Sequence, residues 1–294
     1  MSQRAIKELE GIAERLIALT RVVPVKYLSR DAGSGFILVQ PNFHWGDCDQ
    51  AQLAEQIELV RKFQTFKELV RSMLKGVPQS LAAGYESVEK EFLVWLELSS
   101  NWHLSHVRDQ NERYIRDLTA RIRRILEVLA WNSQSKSYLV PDTNAMIVCP
   151  DPVAYRSIAG QENFCFVLLP TVLGELDSLK NLHRNPEFRE KVLRVVNRIK
   201  GWRNQGSLID GVVVDKSIEV RAESSEPSMA NAPSWLDGES KDDRIIASVL
   251  SIVAILPGAR VILVTGDVNL LNKADAAWIE TKEPPDCGNQ GSGA

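Results

Sequence analysis

The sequence predicts an all-α domain over residues 1–135, then a three-layer α/β domain with a mostly parallel sheet over residues 137–283. Residues 284–294 are expected to form a flexible tail. Three observations carry this reading. Apolar residues recur at three- and four-residue steps through the first 135 positions, the spacing of one helix face. From Tyr138 onward, short apolar runs alternate with helical patterns, which builds parallel sheets covered on both faces. The two halves also differ in charge, roughly +2 before residue 138 and roughly −5 from there on.

Taken in order, Ile6, Leu9, Ile12, Leu16 and Ile17 predict a helix over residues 3–22. Phe36-Ile37-Leu38-Val39, closed by Pro41, predicts a brief strand. An amphipathic pattern from about Asp49 to Lys75 ends at Gly76 and Pro78, which cannot continue it. Further helices are expected from about Ser80 to Leu98 and from Leu104 to Trp131. The last carries Arg113, Arg116, Arg121, Arg123 and Arg124, candidates for phosphate contact. Interleaved Asp109, Glu112 and Asp117 make a solvated helix face the plainer reading. Trp45, Trp95, Trp102 and Trp131 could stack on bases, although core packing explains them more simply. This helical domain would recruit RNA, a protein partner or a second copy of the chain.

Asn132 to Lys136 is short and polar and marks the expected boundary. Strands follow at Tyr138–Val140, Phe164–Leu169, Val212–Val220 and Arg260–Val264, with an edge strand at Trp278–Thr281. Between them lie helices near Pro152–Ile158, Val172–His183, Pro186–Asn204, Asp242–Leu256 and Val268–Ala277. Glu223 to Glu239, rich in Ser, Pro, Ala and Asn, reads as a loop long enough to act as a lid.

Composition narrows the function classes. Hydrophobic content of 44% and charged content of 25% are globular values and exclude wholesale disorder. No run approaches ~18 uninterrupted apolar residues, so no membrane span is expected. The N-terminus lacks a signal-peptide core. Cys48, Cys149, Cys165 and Cys287 are scattered, without a C-x-x-C pair, so neither a disulfide framework nor a zinc knuckle is implied. A reducing cytoplasm fits best.

Parallel sheets place their sites outside the carboxyl ends of the strands. Four acids fall at such points: Asp142 after the first strand, Glu175 one turn into the next helix, Asp243 beside Asp242 at a helix start, and Asp267 after the strand Val261–Val264. Each has a local explanation. Asp142-Thr143-Asn144 is good turn chemistry, and Glu175 suits a first helical turn. Asp243 could complete a capping box with Ser240, and Asp267 could be an N-cap. Together, however, four carboxylates along one edge would repel unless a cation neutralised them. Thr143, Asn144 and Thr265 stand beside these acids as supporting groups.

The motifs Val-Pro-Asp142-Thr-Asn, Pro170-Thr-Val-Leu-Gly-Glu175-Leu-Asp-Ser-Leu-Lys, Asp242-Asp243-Arg-Ile-Ile-Ala and Val264-Thr-Gly-Asp267-Val-Asn-Leu resemble, in order, the four acidic motifs of the PIN-domain nucleases. Glu-Leu-Asp-x-Leu-Lys and Thr-Gly-Asp-x-Asn-Leu-x-x-Lys-Ala are similar to the larger branch, which includes domains of messenger-RNA-decay endonucleases. The resemblance implies a PIN-like, 5′-nuclease-like fold over the C-terminal half. It implies Mg²⁺ or Mn²⁺ held by Asp142, Glu175, Asp243 and Asp267, with Asp242 as the competing neighbour of Asp243. It also implies cleavage of single-stranded RNA by a metal-bound water. Oxygen-only ligands suit such hard ions.

The rival readings are a PIN-like module that holds RNA or protein without cutting, a toxin-type nuclease, and a structure-specific flap nuclease. About 135 extra residues argue against the toxin, and no helical arch is found for the flap class. Asn272-Lys273-Ala274-Asp275 imitates a guanine-recognition motif, but no phosphate-binding loop accompanies it.

Overall fold

The computed structural model describes residues 1–27, 43–130, 136–182 and 184–287. The run expected as a strand at Phe36–Val39, Trp131, most of the boundary segment, His183 and the end of the tail from Gly288 lie outside these residues. The chain divides into two compact units, Ser2–Trp131 and the remainder from Asn132.

The first unit is helical. Helix α1 (Ser2–Val22) buries Leu9, Ile12, Leu16 and Ile17 along one face. A two-stranded antiparallel pair, β1 (Val25–Tyr27) with β2 (Phe43–Trp45), follows it. Helix α2 (Gln50–Met73) opens with a capping box, in which Asp49 accepts from the Gln52 N–H and Gln52 accepts from the Asp49 N–H. Helix α3 (Gln79–Leu96) starts after Pro78. Helix α4 (Arg108–Ala130) begins later than its apolar pattern suggests. The Asn111 side chain explains the delay: it accepts from the Ser105 N–H at 2.9 Å and donates to the Ser105 carbonyl at 2.8 Å, holding that segment out of the helix. Helix α1 packs on α2 and α4, and α3 packs on both of those. The core is aromatic: Phe63 stacks on Phe66 and Phe92, and Trp45 meets Trp95 edge-on. Trp45 and Trp95 are therefore packing residues, whereas Trp102 is exposed.

The second unit is α/β. In order it comprises β3 (Ser137–Pro141), α5 (Thr143–Val148), a 3-10 turn, α6 (Arg156–Ala159), β4 (Phe164–Leu168), α7 (Pro170–Leu182) and α8 (Pro186–Arg203). Then come β5 (Val212–Val214), β6 (Ile218–Ala222), a second 3-10 turn, α9 (Lys241–Ile255), β7 (Val261–Val264), α10 (Val268–Ala276) and β8 (Glu280–Lys282). The six strands lie in the order β5-β6-β4-β3-β7-β8, all parallel except β5. Strands β4 and β7 are buried at every residue, as expected for a sheet covered on both faces.

Two expectations need correction. Val212–Val220 is not one strand but a hairpin, because Asp215 and Lys216 both take positive φ, 42° and 63°, and turn the chain back. Val214 pairs with Ile218, so the polar Asp215-Lys216-Ser217 forms a three-residue loop that interrupts the apolar run. The cysteines are also not all unpaired. Cys149 and Cys287 are bonded with their Cα atoms 5.2 Å apart, across 138 residues of sequence, so the start of the expected tail is tied to the end of α5. No helix among the described residues is long and apolar enough to cross a membrane.

Candidate metal centre

Strand β3 sits between β4 and β7, and the chain order runs to β4 on one side and returns to β7 on the other. Such a switch point opens a crevice beyond the strand ends. Asp142 and Asp267 rise from the two neighbouring ends. Pro141 pairs with Val264, and the Asp142 N–H donates to the Val264 carbonyl at 3.0 Å. Asp142 is then the N-cap of α5, its Oδ1 accepting from the Ala145 N–H at 2.6 Å. Asp-Thr-Asn predicts only a turn here, but the capped Ala145 N–H starts a helix. Asp267 caps α10, with Oδ1 accepting from the Asn269 and Leu270 N–H groups. Its other oxygen takes no protein donor among the described residues.

Thr265 ties the two acids together. Its hydroxyl donates to Asp142 Oδ2 and accepts from the Asp267 N–H at 3.0 Å. Glu175 arrives from the other side, on α7, where the Thr143 hydroxyl donates to its Oε2 at 2.6 Å. Asp142 is only 4% exposed. Burial raises its pKa, the bonds from Thr265 and Ala145 offset part of that, and the charges of Asp267 and Glu175 push it further up. Asp142, Glu175 and Asp267 therefore share one electrostatic field. Asn144, also expected to support the site, is exposed and takes no partner among the described residues.

Asp242 and Asp243 open α9 under the N-cap Ser240, whose hydroxyl accepts from the Asp243 N–H at 3.3 Å. Only half of the expected capping box forms, because Asp243 Oδ2 accepts instead from the Asp237 N–H at 2.9 Å. That bond draws the 223–239 loop onto the site. The loop is held a second time where the Thr171 hydroxyl donates to Glu226.

These two acids carry an internal cation that the motif reading passed over. Lys273 Nζ lies 2.6 Å from Asp243 Oδ1 and 3.4 Å from Asp242 Oδ2, and it donates to Ser240 Oγ at 3.3 Å. Asn269 Nδ2 adds a bond to Asp242 at 2.7 Å. Burial favours a raised pKa at Asp243, but Lys273 and the Asp237 N–H outweigh it and hold the carboxyl below its ordinary range. Asn269 and Lys273 are four apart on α10 and so share a face. That spacing inside Thr-Gly-Asp-x-Asn-Leu-x-x-Lys was the available signal. A second ammonium, Lys241 Nζ, lies 3.2 Å from Glu175 Oε1 and links the start of α9 to α7.

The donor set suits a hard divalent cation: carboxylate oxygens at a strand edge, one of them buried under the repulsion of two others. As arranged, hydroxyls and ammoniums occupy many of the carboxylate oxygens. No three acidic, histidine or cysteine side chains stand in a ready-made ligating group among the described residues. Asp142, Glu175 and Asp267 would hold the ion, with Asp243 balanced by Lys273.

Residues 139–284, from β3 to just beyond β8, match the family model for the PIN domain. No curated protein matches the chain. PIN domains are generally nucleases and usually use divalent metals. This match assigns the C-terminal half of the chain to the PIN-domain family.

Proposed function

We propose that this protein is a metal-dependent endoribonuclease that cuts single-stranded RNA. The observation that carries the reading is the buried Asp142 carboxylate, raised in pKa while facing Glu175 and Asp267 at the ends of adjoining elements. A carboxylate held against two others is a cost to the fold that a bound cation removes. Mg²⁺ or Mn²⁺ bound there supplies an activated water and charge neutralisation at the scissile phosphate.

The chain's own residues do the positioning. The Ala145 N–H and the Thr265 hydroxyl fix both oxygens of Asp142. Thr143 orients Glu175, and the α10 amides leave one Asp267 oxygen free. Lys273 keeps Asp243 ionised as a neutral pair. The 223–239 loop is bonded to Asp243 through the Asp237 N–H.

A second reading, in which the PIN unit binds RNA without cutting, is favoured by the hydroxyls and the ammonium that already occupy carboxylate oxygens of the site, Thr265 at Asp142 and Thr143 and Lys241 at Glu175. The test is cleavage of end-labelled single-stranded RNA with Mn²⁺ or Mg²⁺, wild type beside Asp142→Asn. Metal-dependent cutting lost in the variant supports the nuclease. Absence of cutting by both proteins across metals and substrates transfers the weight to the binding module. Cutting that survives in the variant refutes the site.

A further inference from the structure

We propose that helix α8 is the surface on which the PIN unit carries the phosphate backbone of single-stranded RNA; the inference rests on the nuclease reading above. Helix α8 bears six basic residues against two acidic ones, within a half-chain of sixteen basic and twenty-one acidic residues. Arg189, Lys191, Arg194, Lys200 and Arg203 make no ion pair among the described residues, and all but the half-buried Arg189 are exposed. Only Arg198 is paired, with Asp151 at 3.2 Å.

One of the six α8 cations is thus ion-paired among the described residues, although its half of the chain carries more carboxylates than cations. Helix α4 differs in degree: three of its six basic residues are paired within the helical unit, while Arg108, Arg113 and Arg124 make no ion pair among the described residues. Its Arg116 binds Glu14 and Glu112, Arg121 binds Glu91, and Arg123 binds Glu10 and Glu127. Those arginines are spent on the helical unit itself. The five α8 cations without an ion pair among the described residues are available to an external polyanion.

Their placement suits the task. Val192, Val195, Val196 and Trp202 are buried on the inner side of α8. The helix packs on α5 and α7, which carry Thr143 and Glu175 of the candidate centre. Lys191, Arg194 and Arg198 follow at steps of three and four and form one stripe, while Arg189, Lys200 and Arg203 fall on the other flank. Exposed guanidinium and ammonium groups contact phosphate oxygens, which carry no sequence information, so the binding is indifferent to sequence.

The experiment is fluorescence anisotropy of a labelled oligouridylate in EDTA, over a salt series, so that no cleavage or metal enters. The proteins are wild type, Arg189→Gln/Lys191→Gln/Arg194→Gln, the charge-retaining Arg189→Lys/Arg194→Lys, and Arg116→Gln/Arg123→Gln on α4. The triple variant should bind at least about tenfold more weakly, with a log K against log salt slope shallower by about 2 if each lost cation released ~0.7 counterion equivalents. The lysine and α4 variants should bind as wild type does. Unchanged affinity and slope in the triple variant, or no binding by wild type, overturns the inference. Equal competition by polyglutamate at matched charge also overturns it, in favour of an acidic protein partner. Cleavage by wild type in Mn²⁺, measured alongside, separates the two readings. Cutting without dependence on α8 refutes only this inference, and α8-dependent binding without cutting refutes only the nuclease.

Discussion

Asp142 and Asp243 are both buried at the carboxyl edge of one sheet, yet the protein treats their charges in opposite ways. Asp243 has an ammonium of its own, Lys273 at 2.6 Å, and is held below the ordinary carboxylate range. Among the described residues Asp142 has only a hydroxyl and an amide for partners, it faces two further carboxylates, and its pKa is raised. An acid neutralised from within is part of the fold. An acid left under repulsion is a place where the fold gives up stability for something it binds.

The largest test of that contrast is Asp142→Asn. It should lower metal-dependent cleavage by at least ~10²-fold, more than the roughly 10–100-fold loss typical of groups that only orient a ligand. In the metal-free protein the same change should stabilise, because it removes a carboxylate that the fold disfavours. Each kcal/mol relieved would appear as about 2–4 °C in Tm for a chain of this size. The sign follows from the raised pKa. The folded state holds the Asp142 proton more tightly than the unfolded state, so wild type loses stability as pH rises from the ordinary carboxylate value through the raised one. The gap to Asp142→Asn should widen over that window and close below it. Thermal melts in EDTA across pH check this, and Mn²⁺ should raise the Tm of wild type but not of the variant.

Lys273→Met should act in the reverse direction. It strands Asp243 without its cation and should destabilise by about 1–3 kcal/mol, less than for a fully buried pair because Lys273 is partly exposed. The depressed pKa of Asp243 makes this contribution present above the ordinary carboxylate value and lost as pH falls through the lowered one. Urea melts should therefore show the gap between wild type and Lys273→Met closing at acid pH, and Asp243→Asn should shrink it at neutral pH. If Lys273→Met melts like wild type throughout, the pairing contributes nothing.

Thr265→Val keeps the shape but removes the hydroxyl shared by Asp142 and Asp267. Since Thr265 holds the Asp142 pKa down, its loss should move metal binding to higher pH and weaken Mn²⁺ affinity by roughly 10-fold at neutral pH. Calorimetric titration at two pH values reads both effects. The smallest effect belongs to Lys241→Met. That ammonium is about half exposed, so its pair with Glu175 should be worth no more than about 0.2–1 kcal/mol and should fade with salt.

Much of the fold and of the acidic edge was legible because both are written in local order. Apolar runs ending in Asp142 and Asp267 announce strands that finish in a carboxylate, and parallel strands deliver their ends to one side. The helical unit is likewise legible from three- and four-residue spacing, and its aromatics pack as that spacing implies. Local order also misled where two outcomes share one pattern. Asp-Thr-Asn serves a turn or an N-cap, and α5 forms. Val212–Val220 is apolar enough for one strand, but Asp215 and Lys216 turn it into a hairpin.

What tertiary structure alone decided is which charges meet. Nothing in the chain order says that Lys273 neutralises Asp243, that Arg116 and Arg123 pair with Glu14 and Glu10, or that five of the six α8 cations have no ion pair among the described residues. The Cys149–Cys287 bond, 138 residues apart in sequence, belongs to the same class. Periodicity reports which face of an element is buried, since burial repeats with the backbone. Coulomb pairing and bonding depend on distances between side chains of different elements, and those distances exist only once the sheet and helices have packed.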